Sequence, residues 1–268
     1  MTSGQAIPPS ESAEWRSVLL GTDPKFMRFA RLMRRMPGRP RCQFCGAPFE
    51  GLGSPLARVM GSGRWERNPN YCTRCFTTLD RHRGGAEIPC SLLLADIRGS
   101  TALAARLSPA DYRGLVQRFY LTAAEVLFRH DAILDKFVGD EVMAIFIPAL
   151  TGDLHAARAL ETGRDLLHAT GHDDADGPWV AVGVGIATGI AFVGSVAEPP
   201  TTTFTALGDV VNVAARLASA AGVGELLATV ETAYATAMAT GEVAALEHRR
   251  LDLKGKAEPV EVVVLSCG

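Results

Sequence analysis

The sequence lacks any long apolar run. No uninterrupted apolar stretch approaches the ~20 residues that a membrane-spanning helix needs. The beginning of the chain, MTSGQAIPPSESAEW, also lacks the charged start and following apolar stretch that are typical of a secretory signal. We therefore expect a cytoplasmic protein.

A strong charge of either sign is also missing. The formal net charge is −2 at pH 7 and 47% of the residues are hydrophobic. This is ordinary globular composition, and we expect no nucleic-acid partner. The sequence contains no internal repeat or low-complexity tract. Its 268 residues are enough for one large domain or two smaller ones with a real core.

Cysteines are few, but four of the six fall into two CxxC pairs. Cys42 and Cys45 lie in RCQFCGAPF, and Cys72 and Cys75 lie in YCTRCF. In a cytoplasmic protein this pattern predicts a four-thiolate metal site rather than disulfides. The second pair opens a helical segment, as in treble-clef zinc modules. Zinc is the favoured occupant, and a rubredoxin-like iron site and a redox dithiol pair stay open as alternatives.

Residues 13–36 are predicted to be helical, after a polar start over residues 1–12. One face of this helix is apolar and the other is basic. The apolar side chains are those of Phe26, Phe29, Leu32, Met33 and Met36, and the basic ones those of Lys25, Arg28, Arg31 and Arg35. Two interpretations stay open: the helix docks on a neighbouring domain or partner subunit, or it lies on an anionic membrane.

Regular alternation of strands and helices begins near residue 87. SLLLADI predicts a strand, residues 108–130 a helix, and AILDKFV and EVMAIFI a hairpin around Gly139-Asp140. LHAARALETGRDLLHAT predicts a helix, and WVAVGVGIAT and IAFVGSV a pair of strands punctuated by glycine. DVVNVAARLASAA predicts a helix, ELLATVETAYATAM a strand and a helix, and VEVVVL a strand.

This order predicts an α+β fold built on a ferredoxin-like βαββαβ pattern, with a small helical and zinc-binding, treble-clef-like module before it. The predicted boundaries are 1–40 for the tail and amphipathic helix, 41–86 for the metal-binding module and 87–268 for the main domain.

Two aspartates lie at ends of predicted strands that should be neighbours. Asp96 ends the first strand, and Asp140 lies in the hairpin turn. Paired carboxylates that close repel each other unless a cation lies between them, and hard oxygen ligands suit Mg²⁺ or Mn²⁺. Gly99, Ser100 and Thr101 follow Asp96 and open a helix, whose free N–H groups are suited to phosphate.

A third segment, LGDVVNVAARL, places Asn212 and Arg216 four residues apart on one helix face. A lone pair of this kind is commonly just the solvated side of a helix. Arginine is, however, the side chain that grips phosphate oxygens through two N–H groups at once.

These three segments together resemble the catalytic domain of class III adenylate and guanylate cyclases over roughly residues 88–268. LLLADIRGST resembles the first metal motif of the family, DKFVGDEVMAIF the second, and FTALGDVVNVAARL its transition-state segment. The resemblance implies that ATP is converted to 3′,5′-cyclic AMP and pyrophosphate. It also implies two Mg²⁺ or Mn²⁺ ions on Asp96 and Asp140, assisted by the Ile97 carbonyl. One ion lowers the pKa of the ribose 3′-hydroxyl, and the other steadies the triphosphate.

The resemblance also implies roles for the remaining site residues. Asn212 would orient the ribose, Arg216 would neutralise charge on the α-phosphate, and Lys254 would contact phosphate. Lys136 matches the lysine that recognises adenine N1, where guanylate cyclases carry glutamate. Thr205 stands where many members carry aspartate, which loosens the expected discrimination between bases.

In this family the site forms between two domains, so the resemblance implies a head-to-tail homodimer with two equivalent sites and a role in signal transduction. Two alternatives stay open. One is a catalytically silent cyclase-like domain that binds nucleotide, and the other is a guanylate cyclase. No GGDEF-like turn is present, only VGDEV, which argues against a diguanylate cyclase.

Overall fold

The computed structural model describes residues 9–66, 69–81, 84–196, 203–241, 247–253 and 258–266. The α-helices in these ranges are α1 (Pro9–Leu19), α2 (Pro24–Arg35), α3 (Ser54–Val59), α4 (Thr73–Arg81), α5 (Ser100–Arg106), α6 (Pro109–Arg129), α7 (Pro148–Thr151), α8 (His155–Ala169), α9 (Asp209–Ala220) and α10 (Val230–Thr240). The β-strands are β1 (Gly85–Ile97), β2 (Ile133–Val138), β3 (Glu141–Phe146), β4 (Val182–Val196), β5 (Thr203–Leu207), β6 (Glu225–Thr229), β7 (Glu247–Leu251) and β8 (Val260–Ser266).

The chain divides into two units. The first comprises residues 1–88, 148–152 and 191–207, and the second comprises residues 89–147, 153–190 and 208–268. The divide cuts through β1 and β4, so each of these strands contributes to both units. The three predicted domain boundaries remain a prediction.

The second unit contains the predicted α+β architecture. Its strands are ordered β2-β3-β1-β4-β6-β8-β7. The first four in this order, connected through α6 and α8, are the ferredoxin-like βαββαβ pattern, which confirms the predicted fold class. β1 pairs antiparallel with β3, and β4 pairs parallel with β6. Buried side chains such as Phe119, Phe146 and Ile186 form the core around the sheet.

The hairpin between β2 and β3 forms as predicted. Val138 pairs with Glu141, which leaves Gly139 and Asp140 as a two-residue turn. Gly139 has a φ of 63°, a left-handed conformation that glycine adopts without steric cost. The turn therefore fixes Asp140 directly before β3.

Helix α6 begins at the predicted cap. The Ser108 hydroxyl accepts a hydrogen bond from the Asp111 N–H at 3.2 Å, and Pro109 occupies the first turn. On the apolar face of this helix, Phe119, Ala123 and Leu127 are fully buried in the core. Cap and apolar face together explain why this segment is a long helix.

The two strands predicted over WVAVGVGIAT and IAFVGSV are one continuous strand, β4, and that prediction was wrong. Its glycines do not mark a turn. A Cβ atom on Gly185 would lie 2.1 Å from the Ala218 backbone nitrogen, so this glycine allows α9 to approach the strand closely. Close helix packing, not a reversal of the chain, explains the glycine spacing here.

The predicted N-terminal helix is interrupted. α1 and α2 are separated at Gly21, which has a φ of 72°, and α2 restarts with Pro24 in its first turn and the Asp23 carboxylate accepting from the Phe26 N–H. No helix in the described ranges is both long and apolar enough to cross a lipid bilayer.

In the first unit, the apolar face of α2 packs on the cysteine segment. Met33 is fully buried, and the Phe26 and Phe44 rings lie 5.3 Å apart. The Arg41 guanidinium donates to the carbonyl oxygens of Met33 at 3.3 Å and Gly46 at 2.8 Å, which ties the end of α2 to that segment. Contact of α2 with a membrane or with a partner subunit stays a prediction.

Candidate active site and metal centre

The two aspartates predicted as metal ligands lie on neighbouring strands. Asp96, the penultimate residue of β1, pairs with Glu141 of β3, and the Ile97 N–H donates to the Asp140 carbonyl at 3.2 Å. The Tyr120 hydroxyl of α6 donates to the Gly139 carbonyl and thereby holds the turn that carries Asp140. The structure thus brings Asp96, Ile97 and Asp140 together where β1 ends and the turn before β3 begins. Their role as metal ligands stays a prediction.

A cationic side chain accompanies these carboxylates. Arg98 forms an ion pair with Asp96. Asp96 Oδ1, the oxygen in this ion pair, is itself buried. Burial lowers the pKa of Arg98, while the charges of Asp140 and Glu141 act in the opposite direction. The guanidinium also donates to the Ser219 carbonyl at 2.8 Å.

Sequence analysis overlooked Arg98, although the pattern Asp-Ile-Arg-Gly places it two residues after Asp96. The partly buried carboxylates already associate with one positive charge. Two carboxylates and a backbone carbonyl at the same end of neighbouring strands are the hard oxygen ligands that a divalent cation prefers. The donor set therefore fits Mg²⁺ or Mn²⁺.

The turn after β1 has the geometry expected of a phosphate-binding segment. Gly99 has a φ of 68° and its ideal Cβ position faces open space, so a ligand can approach the backbone there. Ser100 and Thr101 begin α5, and the first N–H groups of a helix have no intrahelical acceptor. Phosphate binding by this turn stays a prediction.

Lys136 lies in β2 next to an irregularity of the strand. The register of β2 against β3 shifts between Leu134 and Lys136. This bulge leaves the Asp135 side chain inaccessible to solvent and the Lys136 side chain 43% exposed, with Nζ 3.5 Å from Asp135. Bulges commonly redirect a side chain beside a functional site. The role of Lys136 in recognising a base stays a prediction.

The remaining predicted site residues lie on other elements than the two aspartates. Asn212 is exposed and Arg216 half-buried on α9 of the second unit, away from the buried face formed by Val210, Val213, Ala214, Leu217 and Ala218. Thr205 is 2% exposed on β5 of the first unit, opposite Gly194 of β4. Lys254 lies outside the described residues. The pairing of Thr205 with Lys136 stays a prediction.

The four predicted cysteines converge in the first unit. Their sulfur atoms all lie within 4.8 Å of one another, and all four residues are buried. Cys45 Sγ is 3.7 Å from Cys72 Sγ. A tetrahedral site with metal–sulfur bonds of about 2.3 Å requires sulfur separations of roughly 3.8 Å. The cluster therefore has the dimensions of a four-thiolate metal site.

Local backbone structure explains how the cysteines meet. The Cys42 N–H donates to the Ala47 carbonyl at 2.8 Å, and Gly46, with a φ of 75°, closes this knuckle. The second pair lies at the start of α4, as predicted, and the Cys72 N–H donates to Cys42 Sγ at 3.3 Å. N–H groups at a helix start favour thiolates.

The thiols strongly influence one another. Side-chain hydrogen bonds from Cys42, Cys45 and Cys75 lower the pKa of Cys72, whereas hydrogen bonds with Cys42 and Cys72 raise the pKa of Cys45. Four buried thiols can all become thiolates only when a cation compensates their charge. The chemistry of the cluster, like its dimensions, fits a divalent metal ion.

Comparison with known proteins identifies the family. The model of the adenylate and guanylate cyclase catalytic domain matches residues 86–266. The chain belongs to this family. The match covers all the predicted active-site residues and begins after the four cysteines.

Individual relatives include both kinds of cyclase. The solved guanylyl cyclase Cya2 superposes with a TM-score of 0.61 at 24% identity, covering 69% of this chain and 95% of that one. The adenylyl cyclase CyaB from P. aeruginosa superposes with a TM-score of 0.57 at 26% identity, covering 68% and 96%. At 24% identity, the likeness to Cya2 concerns the fold alone.

Curated relatives are longer proteins. An uncharacterized protein of Mycobacterium tuberculosis is 29% identical over 181 residues, 67% of this chain and 33% of the relative. An adenylate cyclase of Anabaena cylindrica is 29% identical over 133 residues, 47% of this chain and 26% of the relative. This chain thus matches about a third or less of the length of these relatives.

Proposed function

We propose that this cyclase-family chain is an adenylate cyclase that converts ATP to 3′,5′-cyclic AMP and pyrophosphate. The observation that carries this proposal is the placement of Asp96, at the end of β1, next to the turn directly before β3 that contains Asp140. Lys136, exposed beside the β2 bulge, supports ATP as the substrate. The Anabaena cylindrica and P. aeruginosa relatives are consistent with this choice.

In the proposed reaction, the ribose 3′-oxygen attacks the α-phosphorus and forms the new P–O bond. The bond from the α-phosphorus to the bridging oxygen breaks, pyrophosphate leaves, and the 3′-hydroxyl proton is released. Asn212 orients the ribose, and Arg216 stabilises the charge that develops on the α-phosphate. The N–H groups of Gly99, Ser100 and Thr101 bind phosphate oxygens, and Lys254 provides a further phosphate contact.

Asp96 and Asp140, with the Ile97 carbonyl, hold Mg²⁺ or Mn²⁺, two ions in each site. When bound, these ions lower the pKa of the ribose 3′-hydroxyl and neutralise the triphosphate. Arg98 reduces the repulsion between the carboxylates before substrate arrives, because its guanidinium already forms an ion pair with Asp96.

Selection of adenine rests on two side chains. The Lys136 ammonium donates to adenine N1, and the Thr205 hydroxyl accepts from the exocyclic amino group. A threonine hydroxyl can also donate a hydrogen bond. We therefore propose a preference for ATP over GTP that is weaker than an aspartate at position 205 would give.

The site is proposed to form across a head-to-tail homodimer. One copy supplies Asp96 and Asp140, and the other supplies Lys136, Thr205, Asn212 and Arg216. Each of these residues occurs once in the chain, so two copies create two equivalent sites.

The decisive experiment incubates the purified protein with Mn²⁺ and either ATP or GTP and identifies the product by mass spectrometry. We expect cyclic AMP as the dominant product. Dominant cyclic GMP would make the chain a guanylate cyclase. Nucleotide binding without any cyclic product would make it a silent regulatory domain.

We further propose that the four-cysteine cluster holds a structural Zn²⁺ ion. Its support is the convergence of four buried sulfur atoms within 4.8 Å of one another. Metal analysis of protein purified without added zinc tests this, and we expect one zinc atom per chain. A coloured protein that contains iron, or a metal-free protein with an oxidised dithiol, would contradict the assignment.

A further inference from the structure

Three aromatic side chains of the N-terminal segment surround one residue of β5. Phe204 is 7% exposed, and its ring lies 5.7 Å from that of Phe44, 6.5 Å from that of Tyr71 and 6.5 Å from that of Trp15. The rings of Phe44 and Tyr71 meet Phe204 edge to face, at 79° and 64°. This is the preferred geometry of packed aromatic rings, so the contacts favour one position of Phe204.

Two of these aromatic residues lie next to the cysteines of the cluster in the sequence. Phe44 lies between Cys42 and Cys45 in the knuckle, and Tyr71 directly precedes Cys72. The backbone of the two loops is joined where Gln43 N donates to the Asn70 carbonyl at 2.9 Å. Whatever holds the four sulfur atoms together therefore also fixes the positions of these rings.

β5 is joined to the sheet through one neighbouring strand among the described residues. It is five residues long and pairs with the end of β4, with Ser195 opposite Phe204 and Gly194 opposite Thr205. A short edge strand depends on the packing of its side chains as well as on its one set of backbone hydrogen bonds. The aromatic contacts of Phe204 supply that packing in the first unit.

We propose that Phe204 is a positioning residue that couples the four-cysteine centre to Thr205. Phe204 and Thr205 are consecutive residues of β5, so a shift of the strand backbone at Phe204 also moves Thr205, although their side chains point to opposite faces. The kinetic part of this inference rests on the proposed function, in which Thr205 contacts the base. A metal ion in the centre thus acts on substrate binding without touching substrate.

The first test replaces Phe204 with leucine and measures amide hydrogen exchange over residues 203–207 together with cyclase kinetics. We expect faster exchange in these residues. We also expect an increase of about fivefold in the KM for ATP with kcat changed less than about twofold, because a displaced base contact weakens binding in the ground state and the transition state alike. Phe204→Tyr keeps the ring, so the exchange over residues 203–207 and the KM for ATP should both stay near the wild-type values.

Phe49→Leu is the matched control, because Phe49 is a buried aromatic residue of the same segment whose ring faces Arg64 at 5.3 Å. It should leave exchange over residues 203–207 and the KM near wild type. The inference is overturned if Phe204→Leu matches the wild-type protein in exchange, or if Phe49→Leu reproduces its effects.

The second test removes metal from the wild-type protein and from Phe204→Leu with a chelator and repeats the exchange measurement. Metal removal should accelerate exchange over residues 203–207 in the wild-type protein and add little in the variant, because both changes break the same coupling. Fully additive effects would overturn the inference. Since exchange needs no turnover, a protein that makes no cyclic nucleotide still tests the coupling, while its inactivity counts only against the proposed function.

Discussion

At the scale of single residues, Arg98 is the least expected feature of the site. Its guanidinium forms an ion pair with Asp96, next to Asp140, and donates to the Ser219 carbonyl at the end of α9. The same positive charge that compensates the carboxylates also opposes an incoming cation. Arg98 is therefore expected to set how much divalent metal the proposed cyclase reaction requires.

We predict that Arg98→Met lowers the Mg²⁺ concentration for half-maximal activity by about threefold to tenfold, because it removes a positive charge in direct contact with a proposed ligand. Titration of activity with Mg²⁺ at saturating ATP measures this. Arg106→Met, an exposed arginine in the last turn of α5, is the control. An unchanged or increased metal requirement in Arg98→Met would contradict this role.

Lys136 carries the second prediction at this scale. Lys136→Glu replaces the ammonium that is proposed to donate to adenine N1 by a carboxylate, an acceptor that suits the guanine N1 and N2 hydrogens instead. The ratio of ATP to GTP specificity, compared as kcat/KM, should fall by about 100-fold, because a buried polar group of a base would be left unpaired. Lys136→Gln keeps a donor and should show a smaller change. A ratio that stays constant in both variants would rule out base recognition by Lys136.

At the scale of secondary-structure elements, a buried polar chain links α8 to the sheet of the second unit. The Ser91 hydroxyl of β1 lies 2.9 Å from His155 Nδ1 and 2.7 Å from the Thr188 hydroxyl of β4. His155 is 8% exposed, and burial lowers its pKa below 6.5, while the charge of Asp153 acts in the opposite direction. Burial therefore favours the neutral imidazole in the folded protein.

The sign of the pH effect follows from this lowered pKa. Well above about pH 6.5, the ordinary pKa of histidine, the imidazole is neutral in both the folded and the unfolded chain. Below that value the unfolded chain binds the proton first, so the free energy of unfolding falls as the pH falls.

We expect His155→Gln to lose less stability than wild type between pH 7.5 and pH 5.5, measured by urea unfolding. His168→Gln, at a side chain 71% exposed, should behave like wild type. Equal losses in all three proteins would refute this.

Elements with local signals could be predicted from the sequence. The turn at Gly139, the cap at Ser108 and the two CxxC pairs each depend on residues close together in the chain, and the structure contains all three. β4 was misread because the role of Gly185 depends on α9, which is distant in sequence. The position of the Arg98 guanidinium could not be predicted for a related reason: the carbonyls that it contacts, at Ser219 and Ala221, lie at the end of α9, more than 100 residues later.

At the scale of the whole molecule, the chain combines one cyclase catalytic domain with a four-cysteine segment that lies outside the family match. The proposed ligands of the metal ions and the proposed stabilisers of the transition state lie in different elements, at β1 and β3 and on α9. Since each set occurs once, two chains are needed for two complete sites in the proposed homodimer.

Complementation between two inactive variants tests that arrangement. Asp96→Ala removes a proposed metal ligand, and Arg216→Ala removes the group proposed to stabilise the α-phosphate, so each homodimer should lose at least about 100-fold in kcat. In a mixed dimer, one of the two sites combines the intact Asp96 of one chain with the intact Arg216 of the other. Random mixing makes half of all dimers mixed, each with one site of two intact, so about a quarter of wild-type activity should return.

Two tags of different size, followed by gel filtration and mass spectrometry, verify that mixed dimers form. Combining Asp96→Ala with Asp140→Ala is the control, because both changes damage the same half of the site and no activity should return. Mixed dimers of the first pair that remain inactive would show that the site is not shared between subunits.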